Sequence, residues 1–241
     1  MLSYLWMMPT PHRRFLGPAS LWGCSALALA LQAGPSPAAE PRPVVIDRPI
    51  SFSAKRQEAT RRYVFQHAGV RLRGVELDPR MVVIHWTGTA SLQAAWDTFD
   101  AETLPPSRSD IASGGDLNVS AHFLVDRDGT IYRLMPENWV ARHVIGLNLA
   151  AVGIENVGGA LDEDDLTEAQ LRADEALVRS LKARRPRIAF LIGHHESLRF
   201  QGQELWKEKD PLYRTRKLDP GPRFMARLRA SVRDLGLQGA P

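Results

Sequence analysis

Met81-Val82-Val83-Ile84-His85-Trp86 runs without polar alternation and stops abruptly at Thr87-Gly88-Thr89, the pattern of a strand buried on both faces. Such a strand needs neighbours in a sheet and a layer on each side. Two further segments meet the first need: Ala151-Val152-Gly153-Ile154-Glu155-Asn156, and Ile188-Ala189-Phe190-Leu191-Ile192, which ends in Gly193-His194-His195-Glu196. Ala121 to Val125 and Thr130 to Leu134, joined through Asp126-Arg127-Asp128-Gly129, predict a hairpin, since Asp-Gly supplies the positive φ of a tight turn. Helical patterns lie between the strands. Ala54 to Ala68 predicts a wrapping helix ending near Gly69, and Leu92, Ala95, Trp96 and Phe99 repeat at helical spacing behind a Ser91 cap. Thr167-Glu168-Ala169-Gln170 reads as a capping box, so the acids from Asp162 to Asp165 mark a helix start rather than a calcium loop. A last helix opens near Pro222, packs through Phe224, Leu228, Val232 and Leu235, and stops at Gly236. Strands and helices alternate, while the hairpin forces one antiparallel pair. The expectation is an α/β single domain with a mixed central sheet flanked by helices.

The N-terminal segment has a different character. His12-Arg13-Arg14 is basic, Phe15 to Ala33 is apolar, and Gly34 to Ala39 is small and breaker-rich, the order of a secretory signal. Gly17, Pro18, Gly23 and Gln32 shorten the apolar run below the roughly 20 residues of a membrane span. The expected organisation is therefore a signal peptide over 1–39, an extended proline-bearing leader over 40–53 and one domain over 54–238. Export to the periplasm or cell envelope, or secretion, follows from it. Cys24, the single cysteine, excludes an internal disulfide; Leu21-Trp22-Gly23-Cys24 loosely resembles a lipobox, but the apolar run continues past it. The net charge of +4 includes Arg13 and Arg14; without residues 1–39, 29 bases face 27 acids. That balance points to no nucleic acid, and no obligate protein partner is inferred.

The chemistry-bearing residues gather at segment ends. His85 closes the first apolar run and His194 follows the third, while Asp219 sits in Lys217-Leu218-Asp219-Pro220-Gly221-Pro222, where the prolines fix its direction. Two histidines and one carboxylate are a donor set that suits zinc, with a fourth position left for a water of pKa about 7. His195 offers the same donor as His194, and the Gly-His order favours His194. Glu155 is a carboxylate in an otherwise apolar segment, costly unless paired or used. Pro105 to Asp116 reads as a loop bordering a groove. Glu196 to Arg216, with Phe200, Trp206 and Tyr213, reads either as a loop packed down on its own aromatics or as a groove wall.

Val83-Ile84-His85-Trp86-Thr87, Val119-Ser120-Ala121-His122-Phe123 with its Asp-Gly turn, Val152-Gly153-Ile154-Glu155-Asn156, Ile192-Gly193-His194 and Lys217-Leu218-Asp219-Pro220-Gly221 follow one another in this order. Together they resemble the type 2 N-acetylmuramoyl-L-alanine amidases, relatives of phage lysozyme-type amidases and peptidoglycan recognition proteins, over roughly residues 81–224. The resemblance implies one zinc ion held by His85, His194 and Asp219, a catalytic Glu155 and an oxyanion-stabilising Lys217. It further implies a peptidoglycan or muropeptide substrate, cut between N-acetylmuramic acid and L-alanine, with His143 near the substrate; Trp86 is a further substrate-binding candidate, and His122, on a hairpin strand, reads as structural. Ala121 departs from the pattern, since some relatives carry a Tyr there. Loss of a ligand would instead suggest a non-catalytic peptidoglycan-binding module, and no ligand position is missing. A zinc peptidase of other specificity lacks the expected His-Glu-x-x-His helix.

Overall fold

Residues 42–241 are described by a computed structural model; the expected signal peptide and Cys24 lie outside the described residues. Six strands form one sheet: β1 (Val45–Asp47), β2 (Met81–Trp86), β3 (Phe123–Val125), β4 (Ile131–Arg133), β5 (Ala151–Asn156) and β6 (Phe190–Gly193). Their order across the sheet is β1-β4-β3-β5-β2-β6. Only β3 and β4, the Asp-Gly hairpin, run antiparallel; every other neighbouring pair is parallel. Gly129 closes the hairpin at φ +87°, and a Cβ there would lie 2.8 Å from the Ala169 carbonyl oxygen, so the turn requires glycine twice over.

Every residue of β2 and β5 is buried. Side chains alternate between the two faces. Val82, Ile84, Val152, Ile154 and Leu191 pack with Leu177, Val178 and Leu181 of α3 (Glu168–Arg184) and Phe224, Met225 and Leu228 of α4 (Pro222–Ser231). Met81, Val83, Ala151 and Ile192 face the other way, onto Val144, Leu147 and Phe200. The two remaining helices are α1 (Ala54–Ala68) and α2 (Leu92–Asp100); Ala95 and Phe99 of α2 pack with Leu124 and Leu134. Burying each large aliphatic side chain in these layers contributes about 1.5–3 kcal/mol.

The helix signals act as their chemistry requires. Ser53 caps α1, Ser91 caps α2, and Thr167 with Gln170 forms a reciprocal capping box at α3. Gln170 Nε2 also donates to the carbonyls of Val125 and Val157, at 3.2 and 2.9 Å, tying α3 to the sheet. After α4, a 3₁₀ turn over Arg233–Leu235 ends at left-handed Gly236.

Residues 45–47 correct the expectation of an unpacked leader. They pair in parallel with β4, and Asp47 holds Arg133 in a two-pronged ion pair at 2.6 and 2.9 Å. The bonding is through backbone, and Val44 and Ile46 remain exposed. An edge strand of this kind leaves no burial pattern in the sequence. At the opposite edge, Gln238 exchanges backbone bonds of 2.9 Å with Leu191 and Ala189.

Candidate metal centre

Parallel strands in register carry their C-terminal ends to one edge of the sheet, and here that places the chemistry. His85 of β2 lies directly beside Glu155 of β5. Ile84 pairs with Gly193, so His194, the next residue, comes level with His85. Because parity decides the face, His85 and Glu155 project on the side away from α3 and α4. Asp219 arrives from the turn before α4.

His85 Nδ1, His194 Nδ1 and Asp219 Oδ2 form a nearly equilateral triangle: 3.0 Å between the two nitrogens, and 3.1 Å from each to the oxygen. All three residues are buried. Atoms bound to a tetrahedral zinc at about 2.0–2.2 Å stand roughly 3.3–3.6 Å apart, a separation that a small outward ring rotation reaches. Donor type and spacing therefore fit zinc. Burial would raise the Asp219 carboxyl, but the neighbouring charge and hydrogen bond of His194 hold it well below the usual carboxylate range. Burial, then the charge of His194, lowers His85 to about 4, so it stands neutral at neutral pH, the form that binds metal.

Glu155 Oε1 is 4.0 Å from His85 Nδ1, and its Oε2 is buried with no hydrogen-bond partner among the described residues. Burial, then the negative charge of Asp219, pushes this carboxyl well above its usual range, against the opposing charges of Arg108 and Lys217. A buried, unpartnered carboxylate oxygen beside three converging donors is poised for proton transfer or for a cation's field. Lys217 lines the same cleft, and its Nζ lies 3.3 Å from Asp110 Oδ2. One ion pair occupies one of an ammonium's three donors, which leaves two for a ligand.

The cleft holds about 420 Å³, with the triangle and Glu155 on its floor and Trp86, Arg108, Tyr213 and Arg216 among its walls. The Pro105–Asp116 segment borders it through Arg108 and Ile111. Buried Arg142 braces that wall, donating to the carbonyls of Gly115 (3.1 Å), Ile111 (2.7 Å) and Leu117, and to the Tyr213 hydroxyl (2.7 Å). The 196–216 loop is packed down on its aromatics: Phe200 and Tyr213 are buried, Trp206 half-buried, and of the three Tyr213 borders the cleft. The loop is also anchored to α1. Glu208 meets His67 Nδ1 at 2.9 Å, and Lys209 N–H donates to the His67 carbonyl at 2.8 Å.

One choice goes the way the Gly-His order favours, and three further features were not legible in the sequence. The ring of His195 turns away from the triangle: its Nδ1 and its backbone N–H both donate to the Asp219 carbonyl, at 3.0 and 2.9 Å, which leaves His194 in the cluster. His195 thereby clamps the Asp219 turn to the end of β6. Asn156 Nδ2 donates to the His85 carbonyl at 3.2 Å and to buried Asp174 on α3 at 3.0 Å. Both ring nitrogens of His143, expected at the substrate, are engaged internally, Nδ1 with His85 Nε2 at 3.0 Å and Nε2 with the Ala151 carbonyl at 3.3 Å. Asp110 is the partner of Lys217, as described above. His122 is structural as expected: it donates from Nε2 to the Trp139 carbonyl at 2.8 Å and accepts at Nδ1 from Gly153 N–H at 2.9 Å.

Comparison with known proteins adds an independent line. A family model described as N-acetylmuramoyl-L-alanine amidase matches residues 76–222. The endolysin of Klebsiella phage KP32 is 36% identical over 86 residues, which is 34% of this chain and 56% of that protein. The endolysin of Escherichia phage T7 is 35% identical over 86 residues, with the same shares of 34% and 56%. The chain thus covers little more than half the length of these curated relatives. Among solved structures, the N-acetylmuramoyl-L-alanine amidase LysC from Clostridium intestinale URNW superposes with a TM-score of 0.47 at 23% identity, over 79% of this chain and 98% of that one.

Proposed function

This chain belongs to the N-acetylmuramoyl-L-alanine amidase family, and on that premise we propose that it is a zinc-dependent hydrolase cutting the amide between N-acetylmuramic acid and L-alanine in peptidoglycan or muropeptides. The observation that carries the proposal is the triangle of His85, His194 and Asp219 with the unpartnered Glu155 carboxylate beside it. The three ligands would hold one zinc ion. When bound, that ion supplies a Lewis acid, which polarises the scissile carbonyl and lowers the pKa of a water to about 7.

The chain's own residues carry the protons and the charge. Glu155 takes a proton from the attacking water and delivers it to the departing amine nitrogen, a task that suits a buried carboxyl whose pKa is pushed up by burial. Lys217 offers its two remaining donors to the oxyanion that develops on the attacked carbonyl. Arg108 and Lys217 both oppose the upward shift of Glu155. Trp86 lines the cleft beside these groups and offers an apolar surface to the sugar or the peptide. Export is part of the same reading, supported by the basic, apolar and small-residue order of residues 12–39, because peptidoglycan lies outside the cytoplasm.

The test is release of new L-alanine amino termini from purified sacculi and from soluble muropeptides by the zinc-loaded protein. Release that is abolished by Glu155→Ala supports the reading. No release from either substrate, with Glu155→Ala indistinguishable from the parent, would overturn it. Stoichiometric zinc without release would point to recognition without catalysis.

A further inference from the structure

Beside the metal triangle, in the wall of the same cleft, stands a third imidazole, that of His143. His143 Nε2 faces the Ala151 carbonyl oxygen at 3.3 Å. A carbonyl only accepts, so Nε2 of His143 carries the proton and its Nδ1 is left as an acceptor. That acceptor lies 3.0 Å from His85 Nε2, so Nε2 of His85 carries a proton in turn. Nδ1 of His85 is then a bare lone pair, 3.0 Å from His194 Nδ1 and 3.1 Å from Asp219 Oδ2; the donor of this triangle in the metal-free protein is His194 Nδ1, which faces both acceptors, at 3.0 and 3.1 Å. We propose that His143 is a positioning residue that fixes the metal-binding tautomer of His85, and that glycine stands at position 153 to admit its ring.

Two further observations hold His143 to this task. Its backbone N–H and that of Val144 both donate to Asn148 Oδ1, at 2.9 and 2.8 Å, and Asn148 Nδ2 reaches the Tyr63 hydroxyl at 3.2 Å. The ring lies flat against β5 because position 153 has no side chain: a Cβ there would sit 2.8 Å from His143 Nδ1. Gly153 shares a sheet face with Glu155 two residues on, one step below His85 in register. With its nitrogens spent on Ala151 and His85, the ring keeps no polar atom free for a substrate.

The effect on zinc rests on the amidase reading, but the tautomer does not, so the two are tested separately. Long-range ¹H–¹⁵N correlation of the histidine rings in the metal-free protein near neutral pH should show His85 protonated at Nε2 and bare at Nδ1. His143→Ala should abolish that preference and weaken zinc binding, measured by chelator competition, by ~10- to 100-fold. His143→Asn, whose Oδ1 stands where Nδ1 stood and can accept the same bond, should restore most of the affinity. Gly153→Ala should reproduce the loss with His143 still present. Far-UV circular dichroism checks that each variant folds, and where His143→Ala does not, the parent spectrum and the Asn variant decide. An Nδ1-protonated His85 in the parent, or a folded His143→Ala with unchanged zinc affinity, overturns the inference. A parent that shows the expected tautomer but takes up no zinc removes the amidase reading and leaves this one standing.

Discussion

At the scale of single residues, the site asks most of Glu155 and Lys217. Glu155 is buried at a position where its ionised form is disfavoured by burial and by Asp219, so the carboxyl there costs stability rather than adding to it. Glu155→Gln should therefore leave folding intact and zinc content unchanged while lowering kcat by about 10²–10⁴-fold; metal analysis beside amine-release kinetics checks it. A residue with a purely structural role would lose stability along with activity. Lys217→Ala should lower kcat by roughly 10²–10³-fold with little change in KM, since its interaction with an oxyanion exists only in the transition state. Steady-state kinetics on a soluble muropeptide would reveal the opposite pattern, a raised KM at constant kcat, if Lys217 merely binds the substrate. His85, His194 and Asp219 were readable as candidates because each sits at the end of an apolar run or within a proline-fixed turn, and Glu155 because it is a carboxylate in an apolar segment, whereas Lys217 and the role of Glu155 came from the family resemblance. Between the adjacent histidines the Gly-His order favours His194, and it is His194 that joins the cluster while the Asp219 carbonyl captures the His195 ring.

Among elements, the local signals were strong wherever the physics is local. Caps at Ser53, Ser91 and Thr167, the Asp-Gly turn and the glycine stops all act within a few residues of chain. Thr167 carries one bond beyond the usual cap: besides accepting from Gln170 N–H at 3.1 Å, its hydroxyl donates to the Arg127 carbonyl at 2.7 Å. Thr167→Ala should destabilise the protein by about 1–2 kcal/mol, read as a lower urea midpoint at unchanged slope. An unaltered midpoint would mean that the α3 start is held by packing alone. β1 was missed for the converse reason. Three residues at a sheet edge gain their place from backbone bonds to β4, and hydrogen bonds to a distant strand write nothing into the side-chain pattern.

For the whole molecule, the sheet is also a device that couples the site to the layer behind it. The His85 carbonyl is held by Asn156, and Asn156 in turn by Asp174 of α3. Asp174 is fully buried without a cationic partner among its hydrogen bonds, and burial pushes it up to about 8. Between pH ~4 and ~8 the native state thus keeps a proton that the unfolded chain has released, so stability falls as pH rises through that window and levels off above it. Asp174→Asn, which preserves an acceptor for Asn156, should flatten that decline and leave the variant more stable than the parent at pH 9. Denaturant titrations at pH 5, 7 and 9 measure it; parallel pH profiles for the two proteins would show that the proton on Asp174 contributes nothing.

What the sequence determined by itself is what short-range physics encodes: which segments are buried strands, where helices start and stop, and which side chains with metal or acid–base chemistry lie at their ends. The mixed sheet and its single antiparallel pair follow from those signals. The tertiary structure alone decided the register that sets His85 beside Glu155 and brings His194 level with them, the capture of the His195 ring by the Asp219 carbonyl, and the bond between His143 and His85 at the wall of the cleft. Each of these depends on contacts between residues far apart in the chain, and a side chain's partner at that distance is chosen by packing and hydrogen bonding that no local pattern records.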